Sequence, residues 1–303
     1  MSGVLVIGDV ITDIIVIPEG PMVRGSDRRA TIRQRPGGSG ANQAAWLGSL
    51  GVPVKFVSRV AASDLEANVA YFRSRGVEPL LTGDPDAPSG VLISIVDADG
   101  ERSFLTDRGA NLNLGEQDLP ESLLEGIDLL LISGYSFFTP GPRAAVMALL
   151  RAARERKIAT AVDPASVGFL REVGPESFLK WTQGSGTIFA NLDEALELTG
   201  SVDLNLQMQT LGRFYNRVVI KRGVAGAAVG GRNGVQLAMP SPPSEVIDTT
   251  GAGDAFAAAF LAAELGGKPI EACLRAGIDA GARAVTELGG QPGPGPGERS
   301  PAP

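Results

Sequence analysis

The segment Asp248–Phe260, DTTGAGDAFAAAF, sets three consecutive amides, at Gly251, Ala252 and Gly253, before a lone acid, Asp254, and an alanine-rich apolar run. Amides at a helix N-terminus make a ready anion site, and glycines let a ligand come close to the backbone. Aspartate in a first turn is also an ordinary helix cap. Capping needs no run of glycines, however, and here the acid shares its place with an anion cradle. A carboxylate beside a phosphate cradle has a use when a hydroxyl must lose its proton as a phosphoryl group arrives. The positive helix end helps keep such a carboxylate ionised.

The chain contains no histidine, which excludes Ser-His-Asp and Cys-His triads and histidine zinc sites. Proton transfer is left to carboxylates, lysines and hydroxyls. Three further segments carry suitable groups. Arg35–Gly51, RPGGSGANQAAWLGSLG, is a glycine-rich turn leading into a helix near Asn42; it fits neither the dinucleotide nor the P-loop fingerprint. In NLDEALELTG, Asn191 and Glu194 stand three apart at a helix start. They could arrange a hydrated Mg²⁺ or form a simple capping box. In VVIKRGVAGAAV, Lys221 and Arg222 end a buried strand, where they face either nucleotide phosphates or solvent.

Short apolar runs position these segments. Val4–Ile7, Val54–Val57, Leu129–Ile132, Ala159–Val162, Thr187–Ala190 and Arg217–Ile220 read as buried strands. They alternate with helical patterns over Asn42–Leu50, Leu65–Ser74, Pro142–Lys157 and Leu192–Thr199. This alternation predicts an α/β fold: a doubly wound, mostly parallel sheet with helices on both faces. Two stretches break the rhythm with period-two patterns, about 11–35 and 90–107, the second turning at DADG. They predict a small β-sheet, either a lid or an ordinary peripheral layer. We expect a single domain over 1–291 and a disordered Pro/Gly-rich tail over 292–303.

Composition narrows the class further. A net charge of −7 argues against nucleic-acid binding. Arg24, Arg28, Arg29, Arg33 and Arg35 form one local basic cluster, either a solvated strand face or an anion contact. No apolar run is long enough for a membrane span, the N-terminus lacks a signal peptide's basic region, and the lone Cys273 suits a reducing compartment. The expectation is a soluble cytoplasmic protein.

Taken in order, GDVITDII, GGSGANQAAWLGSLG, NLDEALELTG, DTTGAGDAFAAAF and AVTELGGQ resemble the ribokinase-like, or PfkB, carbohydrate kinases over nearly the whole chain. The resemblance implies an ATP-dependent kinase phosphorylating a hydroxyl of a sugar or sugar-like substrate. It implies Asp254 as catalytic base and Gly251, Ala252 and Gly253 as the anion hole. Asp13, Gly37, Gly38 and Asn42 match sugar-binding positions. Asn191 and Glu194 match a motif tied to Mg²⁺ and phosphate, with Glu194 acting through water, while Lys221 and Gly223 match the nucleotide site. Asp248 and Thr250 fall where many members bind a monovalent cation, often K⁺. The two β excursions fit the family lid, through which members often pair as homodimers. Two departures bear on the substrate: Ser39 replaces the lysine usual in ribokinases, and SGYSFFTPG, with Tyr135, Ser136 and Phe137, replaces an acidic sugar ligand. Arg108, in TDRGAN, is expected near the sugar pocket, where it would suit an acidic substrate. Phe137 and Phe138 offer stacking surface to a nucleoside base or belong to the core. The alternatives are a nucleoside kinase on the same fold and a sugar-binding sensor without catalysis.

Overall fold

The computed structural model describes residues 3–96 and 102–293. The DADG turn and the tail beyond Gly293 lie outside the described residues. Of the expected tail, Pro292 and Gly293 are described, and their carbonyls accept from Arg75 at 3.1 and 3.3 Å.

Thirteen strands are described: β1 (Gly3–Ile7), β2 (Ile11–Pro18), β3 (Ala30–Gly37), β4 (Val54–Ala61), β5 (Val77–Asp84), β6 (Gly90–Val96), β7 (Arg102–Asp107), β8 (Ile127–Ser133), β9 (Ala159–Asp163), β10 (Thr187–Asn191), β11 (Arg217–Lys221), β12 (Ala227–Gly231) and β13 (Gly234–Met239). Nine of them form one sheet in the order β13-β12-β11-β10-β9-β8-β1-β4-β5. Pairing is parallel from β11 through to β5, and β12 and β13 add an antiparallel edge. All six apolar runs read as buried strands lie in this sheet. The apolar run after the Lys221-Arg222-Gly223 turn reads as a further strand and is β12; its antiparallel pairing and β13 are not visible in the alternation.

Burial explains why the strands are apolar without interruption. Side chains alternate between sheet faces, and both faces are covered. Thus Val4, Val6, Leu129 and Leu131 belong to one core cluster, while their neighbours Leu5, Ile7, Leu130 and Ile132 belong to the other. The first cluster contains the helices Ala252–Leu265 and Ile270–Ala284, with Ser39–Ser49 packed beside them. The alanine richness of Ala252–Leu265 follows from that close packing. A Cβ at Gly277 would lie 3.0 Å from the Phe256 ring, so the second helix needs glycine to approach the first.

The remaining strands form a separate sheet in the order β3-β2-β6-β7, with β2 antiparallel to β3 and parallel to β6. This is the small sheet expected from the two period-two stretches. The chain proceeds from β1 to β4 and β5 on one side, then resumes at β8 on the other. That reversal creates a switch point at the carboxyl end of β1, where doubly wound sheets bind ligands. The five basic side chains Arg24, Arg28, Arg29, Arg33 and Arg35 are all exposed, which favours the solvated face.

Replacing Gly277 with valine should force the Phe256 ring aside and destabilise the protein by about 1–3 kcal/mol, as overpacking does. Urea unfolding should show a lower midpoint with an unchanged slope.

Candidate active site

Five strands end at one cavity of about 300 Å³: Asp9 follows β1, Tyr135 follows β8, Asp163 closes β9, Asn191 closes β10 and Lys221 closes β11. The small sheet contributes Asp13, Leu92 and Thr106, and the start of helix Ala252–Leu265 contributes Gly251, Gly253 and Asp254. A second cavity, about 700 Å³ and more apolar, shares Asn191, Lys221, Thr249 and Gly253 with the first. Gly223, Val224, Pro243, Phe256 and Val285 are among its walls. The site is therefore bipartite, with a polar and a largely apolar chamber meeting at the helix start.

Asp254 is held by three donors. Ser39 Oγ donates to Oδ1 at 2.8 Å, Gln43 Nε2 to Oδ1 at 3.2 Å and Asn42 Nδ2 to Oδ2 at 2.9 Å. A carboxylate offers about four lone-pair directions, so one remains for a ligand proton. The arrangement leaves Asn42 Oδ1 and Gln43 Oε1 buried without a hydrogen-bond partner among the described residues, each at a cost of about 1–3 kcal/mol. Both amides thus give their NH₂ groups to the acid. Burial pushes the Asp254 carboxyl up to about 7 and nearby Asp163 adds to this, while Asn42 and Ser39 oppose it. Such a group can both take and release a proton near neutrality.

The helix start depends on close backbone contacts. Gly251 has φ 72°, and a Cβ there would lie 2.3 Å from Gly290 Cα. Gly290 in turn accepts from Trp46 Nε1 at 3.0 Å, and the Gly289 amide donates to Asp248 Oδ2 at 3.0 Å. The Gly-Gly of AVTELGGQ is thus the buttress beneath the anion cradle. Of the three expected cradle residues, Gly251 and Gly253 line the polar cavity. The Ala252 amide instead donates to Thr249 O at 3.3 Å, and Ala252 faces the apolar chamber.

Asp13 is 6 % exposed, lines the cavity and has no hydrogen-bond partner among the described residues. A Cβ on Gly37 would fall within 2.4 Å of its carboxyl, and one on Gly38 (φ 95°) would fall 2.3 Å from Asp9 O. Both glycines leave room for the acids. Burial, reinforced by the charge of Asp248, pushes the Asp13 carboxyl up to about 7. A buried acid without donors calls for a ligand that brings hydroxyl protons.

Asn191 and Glu194 form the capping box: each side chain accepts from the other's backbone amide at 2.8 Å. Glu194 nevertheless lines the cavity, with its acidity reduced by burial. Lys221 Nζ donates to Asp163 Oδ2 at 2.7 Å. Burial alone would lower the lysine's pKa, but Asp163 and Glu194 outweigh it and keep the ammonium charged. Asp248 accepts from the Thr250 amide at 2.8 Å as well as from Gly289, so its carboxyl braces the loop that the sequence reading linked to a monovalent cation.

Arg108 corrects an expectation. It does not face the cavity: its Nε and Nη2 donate to Asp9 at 2.6 and 2.8 Å, and Nη1 donates to Thr139 Oγ1 at 3.0 Å. Both partners of the pair are about 95 % buried, so the guanidinium is committed to Asp9 and Thr139 and turned away from the cavity. Phe137 and Phe138 are buried and belong to the core. Sequence reasoning missed Asp9, Gln43 and Asp163. Asp163 had a signal, an acid closing an apolar strand run; Gln43 had only its spacing of one turn from Ser39.

Asp13 carries a pH signature. Its native pKa of about 7 exceeds the ordinary 3.8, so the stability linked to its proton is lost as pH rises from about 4 to about 7. Asp13→Asn should remove that loss. In thermal unfolding, the variant's melting temperature should gain on the native protein's between pH 5 and pH 8.

The sequence matches the family described as pfkB family carbohydrate kinase over residues 1–295. It is 27% identical to a cytidine kinase of Thermococcus kodakarensis, over 95% of this chain and 98% of that one. It is 28% identical to a ribokinase of Bacillus subtilis, over 97% and 96% of the two chains. A solved probable sugar kinase from Rhizobium etli superposes with a TM-score of 0.86 at 23% identity, over 96% of this chain and 95% of that one. The chain belongs to the PfkB family of carbohydrate kinases, with a ribokinase-like fold.

Proposed function

We propose that this enzyme transfers the γ-phosphoryl group of ATP to a hydroxyl of a sugar or sugar-like substrate, with Asp254 as general base. The observation that carries the reading is the Asp254 carboxyl, held by three donors at the mouth of a glycine-lined helix start between two chambers. The apolar chamber suits a nucleotide's base and ribose. The polar chamber, with the donor-free Asp13, suits a polyol.

In the reaction, the substrate hydroxyl gives its proton to Asp254 as its oxygen bonds to the γ-phosphorus. The bond from that phosphorus to the β,γ-bridging oxygen breaks, and ADP leaves. The Gly251 and Gly253 amides and the charged Lys221, which line the cavity, would meet the oxygens of the moving group. Mg²⁺ would neutralise phosphate charge. Among the described residues no three acids stand close enough together to hold a metal ion by themselves. Such a site fits Mg²⁺ brought in on phosphates and touched through water by Glu194. Asp248 and Thr250 would serve a monovalent cation mainly through main-chain carbonyls, because the Asp248 carboxyl already braces the loop. Among the described residues, no helix is long and apolar enough to cross a membrane.

The lid sheet supports a homodimer. The face opposite Asp13 sets Ile14, Ile93 and Leu105 in one row and Val16, Ile32 and Ile95 in the next. Ile32 and Leu105 are each 61% exposed, an apolar face that a second copy would cover. Leu105→Glu should shift sedimentation toward monomer, and an unchanged profile would remove this face from the interface.

Asp254→Asn tests the base directly. It should lower kcat by about 10²–10⁴-fold while leaving substrate binding nearly intact. In the native enzyme, kcat/KM should rise with pH to a plateau above about 7, where Asp254 is ionised. A sensor without catalysis would show no ADP release at any pH.

A further inference from the structure

A third cavity of about 410 Å³ opens off the polar chamber, sharing Leu92, Thr106, Tyr135 and Ala165 with it. Its own walls bring Phe104 from the lid strand β7 and Phe169 from the helix Val167–Val173, with Ser166 and Glu172 beside them. Three features set this space apart from a gap in packing. Phe104 is 54 % exposed, a large aromatic surface left open on a lid that faces a binding site. Phe169 is held firmly, stacked on Phe138 at 5.4 Å and edge-on to Tyr135 at 5.6 Å. Ala165, at the boundary of the two chambers, has φ 70°, a backbone conformation costly for a residue other than glycine and usually retained where a site requires it. The Ala165 amide is fixed by Asp163 Oδ1 at 3.1 Å, so this boundary is tied to the same acid that pairs with Lys221.

Charge narrows the occupant. Among the described residues no lysine or arginine lines this side cavity, and its one carboxyl-bearing wall residue is Glu172. Five acids line the adjoining chamber; Arg108 pairs with Asp9 and Lys221 with Asp163, which leaves Asp13, Glu194 and Asp254 without an ion-pair partner among the described residues. Arg108, the cation best placed to receive an anionic substituent, is locked to Asp9. A carboxylate or phosphate on the acceptor would meet acids without a counter-charge. A flat, uncharged ring would instead cover Phe104 and lie against Phe169. Ring amino groups would find an acceptor in Glu172.

We infer that the acceptor is a nucleoside-like glycoside: the sugar sits against Asp13 and Asp254, and an uncharged aromatic heterocycle bearing amino groups occupies the Phe104–Phe169 cavity. This inference rests on the kinase reading above and adds the substrate class. Free pentoses fill only the polar chamber, and sugar acids and sugar phosphates are rejected.

The test measures ATP-dependent ADP release by the full chain with adenosine, cytidine, guanosine, uridine, D-ribose and D-gluconate as acceptors. At least one amino-bearing nucleoside should exceed D-ribose in kcat/KM by 100-fold or more, and D-gluconate should be inert. Phe104→Ala, on an exposed position that does not endanger folding, should shrink the nucleoside-to-ribose ratio at least tenfold, mainly through the nucleoside KM. Glu172→Gln should reduce the preference for amino-bearing bases over uridine. Ribose or gluconate turnover equal to or better than every nucleoside, or a ratio unmoved by Phe104→Ala, overturns the inference and leaves the kinase reading standing. No acceptor-dependent ADP release from any compound overturns the kinase reading, and this inference with it.

Discussion

The site depends on keeping one carboxyl, Asp254, at the start of a helix whose remaining first turns are wholly apolar. Desolvation there works against the charged form, and the helix end together with Ser39, Asn42 and Gln43 works for it. Desolvation prevails in part and raises the group to about 7, a value that would serve a general base under the proposed kinase reading. The donors come from the helix Ser39–Ser49, which packs against Ala252–Leu265. The glycine-rich turn at Gly37-Gly38 and the GAGD turn are therefore two halves of one device: the first makes room for the acids and the donors, the second presents the acid and the amides.

Close backbone approach is the device's structural requirement. Gly251 rests on Gly290, Gly40 on Gly8 and Gly277 on Phe256, each at a separation that a Cβ would violate. The fold supplies these contacts by stacking small-residue helices on an uninterrupted apolar sheet. Its order places the loops after β1, β8, β9, β10 and β11 around one opening. The last strand residues and the loops after them carry the polar groups, while the strand interiors beneath are almost wholly apolar.

Local pattern was enough to read the parallel part of the sheet and to pick out DTTGAGD as a candidate site, since buried strands are apolar runs and an acid after glycines is visible in one dimension. Pairings across long separations were not. Arg108 stands in a segment that suits ligand contact, yet Asp9, ninety-nine positions earlier, takes its guanidinium. Asp163 and Lys221 meet only because β9 and β11 flank β10 in the sheet. The Asn191–Glu194 pair was legible as two alternatives, and the structure satisfies the local one, a capping box, without removing Glu194 from the cavity. Gly289-Gly290 could be seen as a motif but not as a buttress, because its partners Trp46, Asp248 and Gly251 are distant in sequence.

A concentration of acids in a buried site carries a stability cost that is linked to its chemistry. Asp13 and Asp254 both hold protons to about pH 7 in the folded chain but release them near 4 when exposed. Between those values the native state binds more protons than the unfolded one, so stability declines as pH rises. Under the proposed kinase reading, a polyol offering hydroxyl protons to Asp13 and a reaction that delivers a proton to Asp254 would both relieve this cost. On that reading ligand binding and folding would be coupled through the same two carboxyls, one on strand β2 and one at the start of the helix Ala252–Leu265.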